Sequence, residues 1–572
     1  MASSVNSYQN AIFEDVFFDD QYLYLYDFTK KIYKIIGNYI GVKELKTNLE
    51  TNTVNVVLEF LPLSGEEIQE HEVSLNQALS ISQLENLNLY GMDIHSLNKT
   101  IVLKQIRNGL NGLQSSFYHT QMGFSKHQEK LVFKHYKLLG TSNNVNSTYG
   151  GSYNIEPLGT LECWMEMFNK EVRGHIPLEL AVVFGLSAPI IGLIGDQIHT
   201  NSQLIHLVGN SSVGKTTALQ LAISTFGSPV ISPDSLLLTY NATQNSLIAK
   251  LSGNMGVPMA LDEASMIPNK DWTDFLYIVT CGEDKERMTK ELKLVQRNSF
   301  RTVVLSSGEY SIVSKAANNM GIHGRVLEYS GVKWTKDSNN SNSIKSVCSA
   351  NYGLIGPLFV EELMKLSQES LIRTHHNLQK KIQQRLKNSQ IRDRIAQKLG
   401  VYMLTAYIAK QKLKLDLDLN GILDFIIENE NRKITDIDIA VKAYEYINEV
   451  YSKNPHRFFK SSRSNNGRSS TSQHERWGFY VVKNSRNTDK EIVSQLGIAE
   501  EQLRILLESD NKFQSMEVIV QAWLEKGWII KGEDRIFQRK AITPNSRTKC
   551  CVLNVEKIER ELYEGENHED RD

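Results

Sequence analysis

A glycine-rich segment near the middle of the chain predicts a phosphate-binding loop. Residues 209–216, GNSSVGKT, have the spacing G-x-x-x-x-G-K-T. They lie between the apolar run QLIHLV and the amphipathic run ALQLAISTF, which predicts a strand, a loop and a helix in that order. Backbone N–H groups of such a loop surround phosphate oxygens, Lys215 places its charge on the β- and γ-phosphates, and the Thr216 hydroxyl completes a Mg²⁺ shell. We therefore predict ATP and Mg²⁺ as ligands, with the nucleotide held by Gly209, Asn210, Ser211, Ser212, Val213, Gly214, Lys215, Thr216 and Thr217.

Two acids end a later apolar run that predicts a strand. The run is VPMALDEA, residues 257–264, about one βαβα unit after Lys215. We expect it on the strand next to the loop-bearing strand, with Asp262 binding Mg²⁺ through water and Glu263 polarising the attacking water as general base. Acids often cap strands, so the position in the chain, more than the residue types, favours this role.

Two further polar positions follow the acidic strand. In RTVVLSSGE, residues 301–309, a strand ends at Ser306 and Ser307, and either serine fills the place where ASCE-type ATPases, including the AAA+ class, carry a sensor. The alternative is an ordinary serine at a strand end. Arg325 precedes the next predicted strand, where ring-forming ATPases place an arginine that completes a neighbour's site. The alternative is a solvated surface arginine. The candidate catalytic residues are Lys215, Glu263, Ser307 and Arg325.

Two basic segments predict contacts with DNA. In hexameric helicases of the superfamily III and MCM types, a hairpin inserted before the sensor strand grips the phosphate backbone in the pore. The alternative for this insert is a salt-bridged surface. Near the C terminus, three predicted helices followed by a hairpin form the pattern of a winged helix, which binds DNA or mediates protein contacts. The candidates are Lys285, Arg287, Lys290 and Lys293 in the insert and Lys531, Arg535 and Arg539 near the hairpin, where Lys540, Arg547 and Lys549 also cluster.

The length of 572 residues predicts several domains. We predict a multidomain α/β protein, with strands and helices alternating around the glycine-rich loop. The expected parts are an α+β N-terminal domain (1–150), an AAA+ P-loop ATPase domain (155–335), a helical domain (336–453), a flexible basic linker (454–474), a winged-helix domain (475–560) and an acidic tail (561–572).

Composition limits the partners and the compartment. The net charge of -1 requires any nucleic-acid surface to be local, and five Cys without a C-x-x-C pair argue for a reducing compartment. The first residues lack the basic and apolar regions of a signal peptide. Residues 177–195 are nearly long enough to span a bilayer, but Glu179, several glycines and Pro189 favour a buried helix with a bend. We expect a cytoplasmic protein with no membrane partner.

Five segments occur in the order and spacing of a bacterial ATPase family of unknown function, found in phage, plasmid and island replication modules. They are GTLECWMEMFN, LSAPIIGLIG, LVGNSSVGKTTALQLAISTFGSP, TQNSLIAKLSGNMGVPMALDE and VVLSSGE. The resemblance covers about residues 20–335. With its C-terminal winged helix, the whole chain resembles the replication initiator helicases of staphylococcal pathogenicity islands and cassette-chromosome elements, the Rep and Cch type.

Those helicases are self-loading, MCM-like hexamers. The resemblance therefore implies a homo-hexamer, 3′-to-5′ translocation on single-stranded DNA, and recognition of a duplex replication origin by the C-terminal domain. The family has a glycine-lysine-arginine element in the insert before the sensor strand. Here GEDKERM keeps Gly282, Lys285 and Arg287 and adds acids.

Three other interpretations remain open from the sequence. An ATPase switch in host defence or regulation needs the same phosphate-binding residues but unwinds nothing. A membrane-associated ATPase would depend on residues 177–195, whose composition argues against it. A primase–helicase fusion would need a metal-binding acid cluster, and the first 150 residues show no convincing one. The two basic segments favour the DNA helicase.

Overall fold

The structure, a computed structural model, divides into three main hydrophobic cores within its described residues. One core lies between Val16 and Ile106, the largest between Met122 and Ile427, and the third between Ala440 and Ile558. The described residues are 11–13, 15–140, 146–266, 272–283, 299–315, 320–437, 439–461, 475–484, 491–509, 513, 515–532, 535–543 and 546–563.

The N-terminal part is built mainly from antiparallel strands. The strands β1 to β4 form one sheet in chain order, and β5 pairs with β6 and, in parallel, with β8. Alternating apolar residues such as Val56, Leu58 and Phe60 bury one face of β6. The elements are β1 (Ala11–Phe13), β2 (Val16–Phe18), β3 (Tyr22–Asp27), β4 (Ile32–Asn38), β5 (Ile40–Asn48), β6 (Val54–Phe60), β7 (Gln69–Ser74), α1 (Leu75–Leu79), α2 (Lys99–Leu110), β8 (Ser115–His119), β9 (Met122–His127), β10 (Lys130–Lys134), β11 (Leu138–Leu139) and β12 (Ser147–Tyr149).

The central part contains a five-stranded parallel sheet between helices. Its elements are α3 (Leu161–Met167), α4 (Ile176–Ile194), β13 (Gln203–Val208), α5 (Lys215–Ser224), β14 (Leu237–Thr239), α6 (Gln244–Leu251), β15 (Asn254–Met255), β16 (Met259–Asp262), α7 (Thr273–Cys281), β17 (Val303–Gly308), α8 (Met320–His323), β18 (Val326–Ser330) and α9 (Ser338–Ala350). The strand order is β14-β16-β17-β13-β18. Both faces of β13 and β17 are buried, as their continuous apolar runs predict. Because the strands are parallel, their carboxyl ends meet at one edge, where the predicted site residues follow β13, β16 and β17.

A long apolar helix forms the centre of this part. The helix α4 is apolar on all sides, and 83% of its most apolar window is buried. It packs against α5, and the Cβ of any residue replacing Gly185 would lie 2.3 Å from the Ala222 carbonyl oxygen. The buried Glu179 carboxylate accepts hydrogen bonds from the N–H groups of Gly174 and Asp418, both at 2.7 Å. The prediction that residues 177–195 form a buried helix is confirmed.

The C-terminal part follows a run of helices. These are α10 (Ile355–Met364), α11 (Gln368–Arg385), α12 (Arg392–Lys412), α13 (Leu419–Ile437) and α14 (Ile439–Lys453). Then come β19 (Phe458–Lys460), β20 (Gly478–Asn484), β21 (Glu491–Ala499), α15 (Glu500–Glu508), α16 (Met516–Glu525), β22 (Gln538–Thr543), β23 (Ser546–Asn554) and α17 (Val555–Tyr563). The five strands form one sheet in the order β19-β20-β21-β23-β22.

Packing divides the chain differently from the predicted domain boundaries. Residues of β9, α4 and α12 share one core, so the helices after residue 336 do not form a core separate from that of the parallel sheet. The helix α14 instead contributes Ala440, Ala443 and Tyr444 to the C-terminal core. A hydrophobic core consists of residues that touch in space, whatever their order in the chain. Changes of composition along the chain, from which the boundaries were predicted, do not show which residues touch.

Two local predictions in the C-terminal part were wrong. Phe458–Lys460 lies in the predicted linker but forms β19, which pairs in parallel with β20. The first of the three helices predicted before the hairpin, TDKEIVSQLGI at residues 488–498, is instead mostly β21 (Glu491–Ala499), which pairs with both β20 and β23. The sheet pairing of these apolar residues overrides their weak helical periodicity. Residues 462–474 of the predicted linker lie outside the described residues.

Candidate nucleotide-binding site

The glycine-rich loop connects the end of β13 at Val208 to the start of α5 at Lys215. Gly214 has φ +87°, and an added Cβ would lie 2.5 Å from Thr335 Oγ1. Both the left-handed backbone and the close approach therefore require glycine at this position. The first turn of α5 begins directly after it, so its unpaired N–H groups and the positive end of the helix dipole face the cleft.

Lys215 lies over the loop that it follows. Its Nζ donates to the carbonyl oxygens of Gly209 at 2.6 Å and Asn210 at 2.9 Å. These bonds hold the ammonium group at the mouth of the loop, beside the N-terminus of α5. The Lys215 ammonium group and the N-terminus of α5 therefore both create positive potential at the mouth of the loop, where a phosphate group would be stabilised.

Asp262 is the centre of a hydrogen-bonded group at the carboxyl edge of the sheet. Thr216 Oγ1 donates to Asp262 Oδ2 at 3.0 Å, and the hydroxyl of Ser307 donates to Oδ1. Asp262 is 5% exposed, so its charge is stabilised mainly by these neighbours. A carboxylate and a threonine hydroxyl in contact are the oxygen donors that a P-loop site offers to Mg²⁺.

The predicted adjacency of the acidic strand and the loop-bearing strand was wrong. The strand β17 lies between β13 and β16, pairing in parallel with both. This arrangement places Ser307 between the loop and Asp262. Thr216 still reaches Asp262 at the end of β16 because α5, which follows β13, begins directly above the carboxyl ends of the strands.

The two candidate sensor serines point to opposite faces of β17. Ser306 lies in a buried chain of hydrogen bonds, 2.7 Å from the Tyr240 hydroxyl and 2.8 Å from His206 Nδ1. His206 Nε2 lies 2.9 Å from the Tyr310 carbonyl oxygen and must donate to it, so Nδ1 accepts from Ser306. Burial lowers the pKa of His206, which keeps the ring neutral. Ser306 thus has a packing role, whereas Ser307 faces Asp262.

This geometry predicts different consequences for the two serines. We expect Ser306→Ala to lower the free energy of unfolding by about 1–3 kcal/mol, because Tyr240 and His206 lose a buried partner, while the folded protein keeps its ATP turnover. We expect Ser307→Ala to lower turnover, because Asp262 loses one of its hydrogen bonds. Chemical denaturation and steady-state ATPase assays measure both quantities. Lost turnover in folded Ser306→Ala, with normal turnover in Ser307→Ala, would reverse the assignment.

Glu263 has an unusual backbone conformation directly after β16. Its φ is +67°, which is sparsely populated for residues other than glycine. Its N–H donates to Ser307 Oγ at 3.3 Å, and Ser265 Oγ donates to its Oε1 at 2.5 Å. The turn directs the carboxylate into the cleft beside the loop, away from the Asp262 side chain. The two neighbouring acids therefore occupy different positions and are suited to different tasks.

The far wall of the cleft comes from a segment that the sequence did not predict as part of the site. The cleft has a volume of about 420 Å³, within the range for small-molecule sites. The backbone N–H of Trp334 donates to the Val213 carbonyl at 2.8 Å, and the hydroxyls of Thr217 and Ser341 lie 2.7 Å apart. The additional residues lining the cleft are Glu309, Lys333, Thr335, Asp337, Ser338, Ser341, Asn342 and Lys345.

In the sequence, this wall of the cleft is indicated by the run KDSNNSNSIK, an unusually polar segment that covers the first turns of α9. The loop residues and Asp262, Glu263 and Ser307 are brought together as predicted, whereas this run joins them only through tertiary contact.

Arg325 lies at the opposite edge of the sheet from the cleft. It precedes Val326, which is paired with Leu204 at the start of β13, roughly 16 Å below the loop at about 3.3 Å per residue. Its Nη1 donates to the Gly321 carbonyl at 3.0 Å, and its guanidinium lies 4.7 Å from the centre of the Tyr277 ring. The side chain does not reach the chain's own site, so a role in nucleotide hydrolysis requires a neighbouring subunit.

The predicted DNA-binding residues fall into two groups. Lys285, Arg287, Lys290 and Lys293 lie outside the described residues. Glu283 and Ser299, which flank that segment, pair as an antiparallel bridge, so the two described residues on either side of it lie next to each other. The bridge lies near the edge of the sheet where Arg325 lies, since Phe300 accepts from Ser202 at the start of β13. Near the C-terminal hairpin, Lys531, Arg535 and Arg539 are exposed.

Family profiles match two parts of the chain. One, described as a domain of unknown function, DUF927, matches residues 27–299. Another, described as the Cch helix turn helix domain, matches residues 438–558. The second match begins at the start of α14, in agreement with the packing of that helix in the C-terminal core. A search of curated proteins found no match.

The fold of nearly the whole chain is shared with a solved structure. A structure described as SCCmec type IV Cch, active helicase, matches with a TM-score of 0.73 and 23% identity over 95% of this chain and 98% of that chain. An apo A form of the NrS-1 C-terminal region matches with a TM-score of only 0.30 and 8% identity, over 90% of this chain and 96% of that chain. The first match extends the similarity across all three cores.

Proposed function

We propose that this chain, which is similar to the Cch-type replication helicases over nearly its full length, is an ATP-driven DNA helicase. We further propose that it is the replication initiator of a mobile genetic element. The observation that carries the proposal is the contact of Thr216 and Ser307 with Asp262 beside a lysine-bearing phosphate loop. Such a group serves nucleotide hydrolysis, and a fold shared with a helicase suggests what that hydrolysis moves.

The residues of the cleft divide the work of ATP hydrolysis. Lys215 and the N-terminus of α5 hold the β- and γ-phosphates, and the segment that starts α9 encloses the rest of the nucleotide. Thr216 and Asp262 hold Mg²⁺, which supplies charge neutralisation on the phosphates when bound. Glu263 accepts a proton at its carboxylate from the attacking water, and Ser307 keeps Asp262 and the Glu263 backbone in place.

We further propose that the active unit is an AAA+ homo-hexamer in the cytoplasm. Arg325 lies at the end of the sheet away from the cleft, near Glu283 and Ser299, the two described residues that flank the insert. In a ring, Arg325 completes the cleft of the neighbouring subunit, and the basic residues of the insert grip single-stranded DNA in the pore. The C-terminal helix-turn-helix domain, which we propose to be a winged helix, then binds duplex DNA at the origin.

Strand displacement on a labelled forked duplex tests the proposal directly. We expect the wild-type protein to separate the strands with ATP and Mg²⁺, and the Lys215→Ala variant not to, because unwinding draws its free energy from hydrolysis. Forks with a single-stranded tail of either polarity are compared. ATP turnover without strand displacement on any fork would contradict the helicase and favour a nucleotide-controlled switch.

A further inference from the structure

The two helices that precede the β22–β23 hairpin within the matched helix-turn-helix domain, α15 and α16, are acidic. Within residues 500–526 the acids are Glu500, Glu501, Glu508, Asp510, Glu517 and Glu525, and the bases are Arg504, Lys512 and Lys526. The second helix, α16, has Glu517 and Glu525 near its ends and contains no Lys or Arg. A helix inserted in the major groove lies between two rows of phosphates, which repel carboxylates.

The exposed face of α16 is also poorly suited to reading bases. Val518, in the first turn, is 49% exposed, and the Gln521 amide donates to Glu525 Oε1 at 3.2 Å. On the neighbouring helix α15, the Arg504 guanidinium lies 3.0 Å from the Glu517 carboxylate, so the charge of this arginine is already paired within the protein. The face offers carboxylates and an apolar side chain where a groove-binding helix needs donors and positive charge.

The hairpin of β22 and β23 has the opposite charge. Residues 538–549 contain Arg539, Lys540, Arg547 and Lys549 and no Asp or Glu. All four bases are exposed. By contrast, Lys531 and Arg535, which precede the hairpin, flank Glu533 and Asp534 in the sequence, so that segment has no net charge.

The pairing of the two strands sets which bases share a face. Arg539 is paired with Lys549 and Ala541 with Arg547, so Arg539, Arg547 and Lys549 project from the same face of the ribbon. Lys549 Nζ is 3.8 Å from Glu500, a loose ion pair at the rim of that face. Further along β23, Cys551 and Leu553 on this face are buried in the C-terminal core, which anchors the ribbon.

We propose that the β22–β23 hairpin, and not α16, is the element by which the C-terminal domain holds duplex DNA. This inference rests on the proposed function, whose DNA partner it localises. A two-stranded ribbon fits a groove of duplex DNA, and Arg539, Arg547 and Lys549 contact the phosphates beside it.

The salt dependence of duplex binding tests this proposal on the full-length protein. The probe is a labelled duplex of arbitrary sequence, longer than two helical turns, without ATP. We expect Arg539→Ala, Arg547→Ala and Lys549→Ala each to reduce the slope of log K against log salt by about 1, and the triple variant by about 3. Arg539→Lys, which keeps the charge, retains the slope.

Two matched controls locate the effect. Lys483→Ala removes an exposed base from β20 of the same domain, paired with Glu556 at 2.8 Å, and leaves the slope unchanged. Gln521→Ala removes the polar side chain from the centre of the exposed face of α16 and also leaves binding unchanged. An unchanged slope in the triple variant, or a loss of duplex binding in Gln521→Ala, overturns the proposal.

Two further assays distinguish a failure of the helicase proposal from a failure of the hairpin proposal. The same preparations are assayed for ATP turnover without DNA and for strand displacement on the fork. A wild-type protein that binds duplex through the hairpin but displaces no strand refutes the helicase and supports the hairpin. A triple variant with an unchanged slope refutes the hairpin even if the protein unwinds DNA.

Discussion

Replacing Lys215 with alanine is expected to reduce ATP turnover by roughly two to three orders of magnitude, the range observed when one charge-stabilising donor is lost. The Nζ atom lies at the mouth of the loop, bonded to the carbonyl oxygens of Gly209 and Asn210. Without the Lys215 ammonium group, only the positive end of α5 remains to stabilise the negative charge on the γ-phosphate. A steady-state phosphate-release assay at saturating ATP measures the change.

The matched control is Lys381→Ala, which removes an exposed lysine from α11, outside the cleft. We expect this variant to turn over ATP at the wild-type rate. The far-ultraviolet circular dichroism and melting temperature of both variants should equal those of the wild type, since both side chains are at least partly exposed. Wild-type turnover in Lys215→Ala would remove the basis for the whole site.

Replacing Glu263 with glutamine should separate nucleotide binding from hydrolysis. Glutamine has nearly the same size and shape, so the hydrogen bond from Ser265 and the turn at φ +67° can persist. It cannot accept a proton from water, and the loss of a general base costs about 10²–10⁴ in rate. Binding of a fluorescent ATP analogue should remain within a few-fold of wild type while turnover falls by that factor.

Glu309 provides the comparison for this experiment. Its carboxylate also lines the cleft, but it accepts a hydrogen bond from Ser211 at 2.9 Å and lies on the loop side of the site. We expect Glu309→Gln to change turnover much less than Glu263→Gln does. If the glutamine at position 309 abolishes hydrolysis and the one at 263 does not, Glu309 is the general base and the assignment must be exchanged.

Local patterns were sufficient to predict the strand, the glycine-rich loop and the helix that form one wall of the cleft. The spacing of Gly209, Gly214 and Lys215 encodes the loop, because a sharp turn with φ > 0 directly before a helix requires glycine at that point. The apolar runs before Asp262 and Ser307 encode buried parallel strands. Their polar ends meet because the carboxyl ends of parallel strands share one edge.

Features that depend on distant contacts were not predictable in this way. Periodicity did not show that β17 lies between β13 and β16, nor that Glu491–Ala499 pairs as a strand. The helix α14 joins the C-terminal core through Ala440 and Tyr444, although its sequence resembles that of the helices before it. In each case the deciding interaction joins residues far apart in the chain.

The sequence by itself determined which residue types stand in the loop, the acidic pair and the basic hairpin, and the chemistry proposed for each depends on those types and their spacing. Only the tertiary structure decided which of two adjacent serines faces Asp262, because side chains of a strand alternate between its faces and the neighbouring strands set which face meets the cleft. It likewise placed α9 against the loop and Arg325 at the far edge of the sheet. Those positions follow from the order in which parallel strands pair, which no local pattern encodes.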